Sequence, residues 1–232
     1  MEFSYASIVK CPHCGGLHGS EFPELSVGNG MTKTLWTDGL ETGFMINRPQ
    51  RPFYYCTYTG CEKTFWFDDA EVVHVIRDLN INSCMSAEQK EVQQLYLELC
   101  KGVNYMGVDN CYQAIEEGIA GENLENWKCL RKFTWQESTE PLRNIPDIFL
   151  SLGSTNRLSE RHYDNLSELK RLLDASLENE RILALEINRQ IGEFKAAADL
   201  IEFDWSADNR ELINYQKRLI EEKDMLLRRV PS

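Results

Sequence analysis

Two cysteine pairs constrain this chain more than anything else in it. Cys11-Pro12-His13-Cys14 runs straight into Gly15-Gly16, and Cys56-Thr57-Tyr58-Thr59-Gly60-Cys61 follows after a long insert. Two close pairs separated by such an insert let two turns bring four thiolates round one tetrahedral ion, the arrangement typical of structural zinc. Gly15 after the first pair and Gly60 before the last cysteine supply the backbone freedom that tight turns need. Cys11, Cys14, Cys56 and Cys61 are therefore the expected ligands of one structural Zn2+. A four-thiolate site is closed, so it holds a fold together and leaves no position for a reacting water. Short strands over residues 1–80 bury too little to be stable unaided, which makes the metal part of the fold.

Two rival uses of these cysteines fit the sequence less well. A redox dithiol at Cys11 and Cys14 requires a helix after the pair, and Gly15-Gly16 argues against one. Tyr55-Cys56-x4-Cys61 with His74 resembles the opening of a two-Cys, two-His finger, but the next histidine is His162. His74 is the substitute ligand if one cysteine is unused, and His13, inside the first turn, competes less well than the flanking thiolates. Cys84, Cys100, Cys111 and Cys129 are irregularly spaced and fit core packing, where free cysteine behaves as a small hydrophobe.

Around the pairs, residues 1–80 are rich in Gly, Pro, Thr and aromatics. Turn signals fall at Gly28-Asn29-Gly30 and Asp38-Gly39, and short strand-like runs at Thr32–Thr37, Gly43–Ile46 and Phe53–Thr57. From about residue 86 the apolar period lengthens to that of helices. Val92, Leu95, Tyr96 and Leu99 share one face, and Cys111, Tyr112, Ile115 and Ile119 another. A third helix carries Leu124, Trp127, Leu130 and Trp135 and is expected to end before Pro141, with a connection over 141–158. Leu166, Leu169 and Leu173, then Ala184, Ile187 and Ile191, then Phe194, Ala197, Ala198 and Ile201, then Leu212, Tyr215, Leu219 and Leu226 mark further helices, with Gly192 at a C-terminal cap. The expected class is α+β: a small antiparallel β zinc ribbon over 1–80, then an all-α body over 81–232.

Other candidate chemistry is thin. Asp68-Asp69 reads as a helix N-cap rather than a carboxylate pair, His162 as a surface residue, and His18 has no nameable partner. No phosphate-binding glycine loop, G-x-S-x-G or H-E-x-x-H is present, so the chain is expected not to be an enzyme. Arg48, Arg51 and Lys63 with Phe53, Tyr54 and Tyr55 interleave base and ring in a way that suits single-stranded nucleic acid. Against that stand 37 acidic residues to 25 basic ones, a net charge of −12, and a ribbon segment that is itself acidic. With no apolar run of the roughly 20 residues needed to span a bilayer and no secretory leader pattern at the start, a cytoplasmic protein without membrane contact is expected.

Several residues together carry a resemblance. They are Cys11-Pro-His-Cys14-Gly, Leu35-Trp36-Thr37-Asp38-Gly39, Cys56 and Cys61 with Phe65-Trp66-Phe67-Asp68-Asp69-Ala70, then Tyr112-x-Ala114-Ile115-x2-Gly118. In these the chain resembles a group of uncharacterised bacterial proteins with an N-terminal zinc ribbon and a helical C-terminus, departing from them in the four residues between Cys56 and Cys61 where two are usual. The stretch from Ala184 through Gly192 and Phe194 to Ala198 resembles the middle of a tetratricopeptide repeat, as one helical hairpin and not an array. The resemblance implies no activity. Helix pairs of that type make binding surfaces, so the expected function is non-catalytic protein–protein interaction, an adaptor or scaffold whose acidic balance suits a basic partner. The alternative is a nucleic-acid-associated ribbon.

Overall fold

The computed structural model describes residues 6–19, 34–38, 41–42, 53–76, 86–101, 106–143 and 159–231. Short strands come first: β1 (Ala6–Lys10), β2 (Leu17–Gly19), β3 (Thr34–Leu35), β4 (Glu41–Thr42), β5 (Phe53–Tyr55), β6 (Thr64–Trp66) and β7 (Glu71–Ile76). Helices follow: α1 (Ala87–Lys101), α2 (Val108–Glu116), α3 (Leu124–Arg143), α4 (Glu160–Leu172), α5 (Glu178–Gln190), α6 (Phe194–Ile201) and α7 (Arg210–Glu221). The class is α+β, as expected, with small antiparallel strands ahead of a helical body. None of the described helices is long and apolar enough to cross a membrane.

Contacts divide the chain into two units. One is Met1–Gly28 with Met45–Ile119, the other Asn29–Phe44 with Ala120–Ser232. This division differs from the boundary expected after residue 80. The apolar face read on α1 is the reason: Val92, Leu95, Tyr96 and Leu99 pack with Ile8 and Ile76 of the strands, so α1 completes a core the sheet cannot make alone.

In the first unit, β1 lies between β2 and β7, antiparallel to both. The β1–β7 register slips between Ile8, opposite His74, and Val9, opposite Val72, which leaves Val73 as the extra residue of a bulge. The β5–β6 hairpin pairs Phe53 with Trp66 and Tyr54 with Phe65, and the Trp66 indole N–H donates to the Ile119 carbonyl at 2.7 Å. A reciprocal capping box opens α1, with Ser86 Oγ accepting from the Gln89 amide at 3.1 Å and Gln89 Oε1 accepting from the Ser86 amide at 2.8 Å.

The second unit buries Leu130, Trp135, Leu166, Leu169, Ile187, Ala197 and Leu212 at or below 1% exposure, at least one residue from each of its periodic stripes. Gly192, at φ +81°, closes α5 in a Schellman turn: its own amide reaches the Arg189 carbonyl and the Glu193 amide reaches that of Asn188. The α5–Gly192–α6 hairpin stands where the repeat-like segment was read.

This unit also contains strand-like residues from the insert. Trp36 bridges to Arg229, the Thr37 amide donates to the Arg228 carbonyl at 2.9 Å, and the Val230 amide donates to the Leu35 carbonyl at 2.8 Å. Beneath lies a fully buried ion pair. Arg189 contacts both Glu186 carboxylate oxygens, at 2.6 and 2.8 Å from one nitrogen. The other Arg189 donors go to Gln216 Oε1 and to the Asp224 and Leu226 carbonyls. Glu186 accepts in addition from Thr37 Oγ1, Gln190 and Gln216.

Four local readings are corrected. Asp68 and Asp69 sit within a single 3-10 turn, Phe67–Asp69, that leads into a strand and caps no helix; the valines after them lie in that strand, β7. α3 runs through Pro141 to Arg143, because proline within the last turn forfeits only one backbone bond. Leu124 is 52% exposed. His162 is buried, and burial pushes its pKa down to about 4, so it is neutral at pH 7. The readings at Gly28-Asn29-Gly30, Gly43–Ile46, Arg48, Arg51, Cys84 and 144–158 lie outside the described residues.

Candidate metal centre

Each cysteine pair stands at the tip of an antiparallel hairpin. Residues 11–16 connect β1 to β2, and residues 56–63 connect β5 to β6. Each tip is closed by backbone bonds: Cys11 N–H donates to the Gly16 carbonyl at 2.8 Å, and Cys56 N–H to that of Lys63 at 2.9 Å. The two tips face each other, and the sulfurs of Cys11, Cys14, Cys56 and Cys61 all lie within 4.8 Å of one another. Cys11 to Cys61 is 3.9 Å and Cys14 to Cys56 3.5 Å. A tetrahedral ion with metal–sulfur bonds of about 2.3 Å requires sulfur–sulfur edges of about 3.8 Å. The four residues therefore fit one metal ion, and these cysteines are not disulfide-bonded.

The backbone is arranged for thiolates. His13 N–H points to Cys11 Sγ and Gly16 N–H to Cys14 Sγ, both at 3.4 Å. The amides of Tyr58 and Lys63 serve Cys56 and Cys61 in the same way. Every donor is two residues after its cysteine, so the two turns repeat one local design despite their different lengths. The Gly16 amide lowers the Cys14 pKa, whereas burial raises those of Cys56 and Cys61. A cation among the sulfurs favours the charged forms that burial disfavours. Below them Tyr54, Phe65, Phe67 and Ala70 pack against the cysteines, excluding water from one side.

The left-handed residues are only partly those expected. Gly15, at φ +75°, and Gly60, at φ +86°, both have the conformation that glycine favours. The counterpart of Gly15 in the second turn, however, is Glu62, the residue after Cys61, at φ 49°. The two extra residues between Cys56 and Cys61 place Gly60 inside the turn.

Tyr58 is the residue that sequence reading passed over. Its hydroxyl accepts from the Leu17 amide at 3.3 Å, joining the second turn to the strand that leaves the first. Its ring lies against Gly16, where an added Cβ would come within 2.4 Å of a ring carbon. His18 meets the same ring edge-on at 5.5 Å between centroids, is buried, and has its pKa lowered by that burial. The signal was the second glycine of Gly15-Gly16, which does not have a positive φ and is needed for space alone. Gly16→Ala is expected to force the Tyr58 ring away, break its bond to Leu17 and cost about 1–3 kcal/mol. Adding Tyr58→Ala should recover most of that loss, and denaturant unfolding of the two single variants and the double variant measures it; strict additivity would disprove the clash.

The other candidates are not gathered here. His74 is exposed on β7 and His13 exposed in the first turn, and neither is among the clustered ligands. Cys111 is buried in α2 and Cys129 is half-buried in α3, as packing residues would be. Lys63 is exposed beside Cys61. Comparisons with protein-family models, with curated proteins and with solved structures find no match to this chain.

Proposed function

We propose that Cys11, Cys14, Cys56 and Cys61 hold a structural Zn2+ and that the protein is a non-catalytic adaptor, presenting its surfaces to a protein partner. Zinc suits a closed tetrahedral set of four thiolates and needs no redox partner. The cleft of about 460 Å³ beside the turns is lined by the two exposed-side cysteines, glycines, Leu17, Tyr58 and Thr59, without the carboxylate or imidazole that acid–base chemistry requires.

The observation that carries the interaction reading is β7. Among the described residues it pairs only with β1, and Val72, Val73 and Val75 are 45%, 39% and 52% exposed. An apolar strand edge is a template for an added strand, and main-chain bonds with valine contacts on either side fit an extended segment of a partner. The net charge of −12 favours long-range attraction of a basic partner. The nucleic-acid alternative has exposed Lys63 in its favour and the acidic balance against it.

Affinity capture from native lysate, with and without nuclease, tests the reading. Protein should be recovered in both cases, and Val73→Lys/Val75→Lys should recover several-fold less while retaining metal and fold. Recovery that nuclease abolishes, or that the double variant leaves unchanged, would refute it.

A further inference from the structure

Arg181 is a buried cation with no hydrogen-bonding partner among the described residues. It stands on the first turns of α5 and is 8% exposed. Its guanidinium carbon lies over the Phe203 ring at 4.7 Å and over the Trp205 ring at 4.8 Å. Two ring faces stabilise the charge but offer its five N–H donors no lone pair of ordinary strength. Among the described residues none accepts from this side chain, and its Nε is buried and unpartnered.

The contrast with Arg189 on the same helix is direct. There a buried guanidinium is saturated by Glu186, Gln216 and two carbonyls. The carboxylate near Arg181, Glu178, is engaged elsewhere: its Oε1 accepts from the Ser206 amide at 3.0 Å, Ser206 Oγ at 2.7 Å and Asn209 Nδ2 at 2.7 Å. Trp205 is likewise fixed, its indole N–H donating to the Ile201 carbonyl at 3.1 Å. Trp205 and the competing acid are held in place, and among the described residues the buried Nε of the cation is left without an acceptor.

We propose that Arg181 reads a carboxylate side chain on an extended segment of a partner protein. A buried charge is normally matched by an opposite one, and a planar carboxylate fits the guanidinium fork through two parallel bonds. A dianionic phosphate fits less well, because Glu178 and the exposed Glu202, Asp204 and Asp208 crowd the same stretch with negative charge. Apolar flanks are also present. Phe203 and Leu177 are each 48% exposed, and Leu177 lies one helical turn before Arg181, its carbonyl accepting the Arg181 amide at 2.8 Å. The matching segment is an Asp or Glu between apolar residues. This deepens the adaptor reading and rests on it for the identity of the occupant, whereas occupancy by a carboxylate can be tested alone.

The test follows the Arg181 Nε–H and Trp205 indole resonances of the zinc-loaded full chain by NMR. Titrants are sodium acetate, inorganic phosphate, and an acetylated, amidated Leu-Glu-Leu tripeptide beside its Leu-Gln-Leu counterpart. Saturable shifts with acetate are expected, with the glutamate peptide binding about tenfold or more tightly than the glutamine one. Arg181→Gln should abolish the Trp205 response. Phe203→Ala, at a half-exposed position, should weaken it several-fold with the fold intact. No saturable response to acetate, a stronger response to phosphate, or equal binding of the two peptides would overturn the assignment. Lysate capture unaffected by Arg181→Gln would defeat this site and leave the adaptor reading standing; acetate binding with no captured protein would do the reverse.

Discussion

Removing the metal is expected to unfold the first unit and spare most of the second. Purified protein should carry close to one zinc per chain, and Cys14→Ser should lose it. Structural zinc contributes about 10–16 kcal/mol in small domains, as much as or more than the total stability of a typical domain, about 5–15 kcal/mol. The strands of this unit are at most six residues long, and Cys11, Cys56 and Cys61 are themselves part of its core. Without a cation, burial drives Cys56 and Cys61 toward neutral thiols, and the two turns lose the link between their sulfurs. Because α1 packs on Ile8 and Ile76, its helical signal should fall along with the sheet. Far-UV circular dichroism with and without a strong chelator reads this. The α3–α7 signal should persist, since that unit has apolar clusters of its own. Full helicity after chelation would show that α1 does not depend on the sheet, and retention of zinc by Cys14→Ser would refute the ligand set.

The second large effect is expected at Arg189. Arg189→Met should destabilise the second unit by about 3–5 kcal/mol, the usual consequence of removing one member of a buried ion pair. It would leave the Glu186 carboxylate charged at zero exposure and strip the Asp224 and Leu226 carbonyls of their donor. Glu186→Gln should cost a similar amount, since it leaves the guanidinium uncompensated. Thr37 bonds to both members of the pair, so the insert should loosen together with the helices. Amide hydrogen exchange at Thr37 and Val230, alongside urea unfolding, tests both points. A loss below about 1 kcal/mol would mean the pair contributes no more than a surface one.

How much of this was legible depends on the range of the interaction. The apolar stripes on α1 and α4, the glycine that ends α5 and the two cysteine turns are local patterns and lie where they were expected; those on α3 and α7 do so in part, since Leu124 is exposed and Leu226 falls beyond the end of α7. The correction at Asp68-Asp69 arose because acids before valines suit a helix cap and a turn into a strand equally well. Those at Pro141 and His162 arose because neither a proline's place within the last turn nor burial by distant helices is written in the nearby sequence. Tyr58 is a more instructive omission. Its partners, Gly16 and Leu17, are about forty residues away, and its hydrogen bond is to a backbone amide, which leaves no trace in side-chain patterns.

By itself the sequence determined the α+β class, the helical succession and the four sulfurs, since turn chemistry and apolar period act over a few residues. Only the tertiary structure decided that α1 belongs with the strands and the 29–44 insert with the later helices. The same holds for Glu186, Arg189 and Gln216. On the helical period alone these read as a solvated face, but all three are buried at 0% exposure. A charged side chain tolerates that only where every donor and acceptor finds a partner, and here those partners come from Thr37 and from the 224–228 segment, far apart along the chain and adjacent only once it has folded.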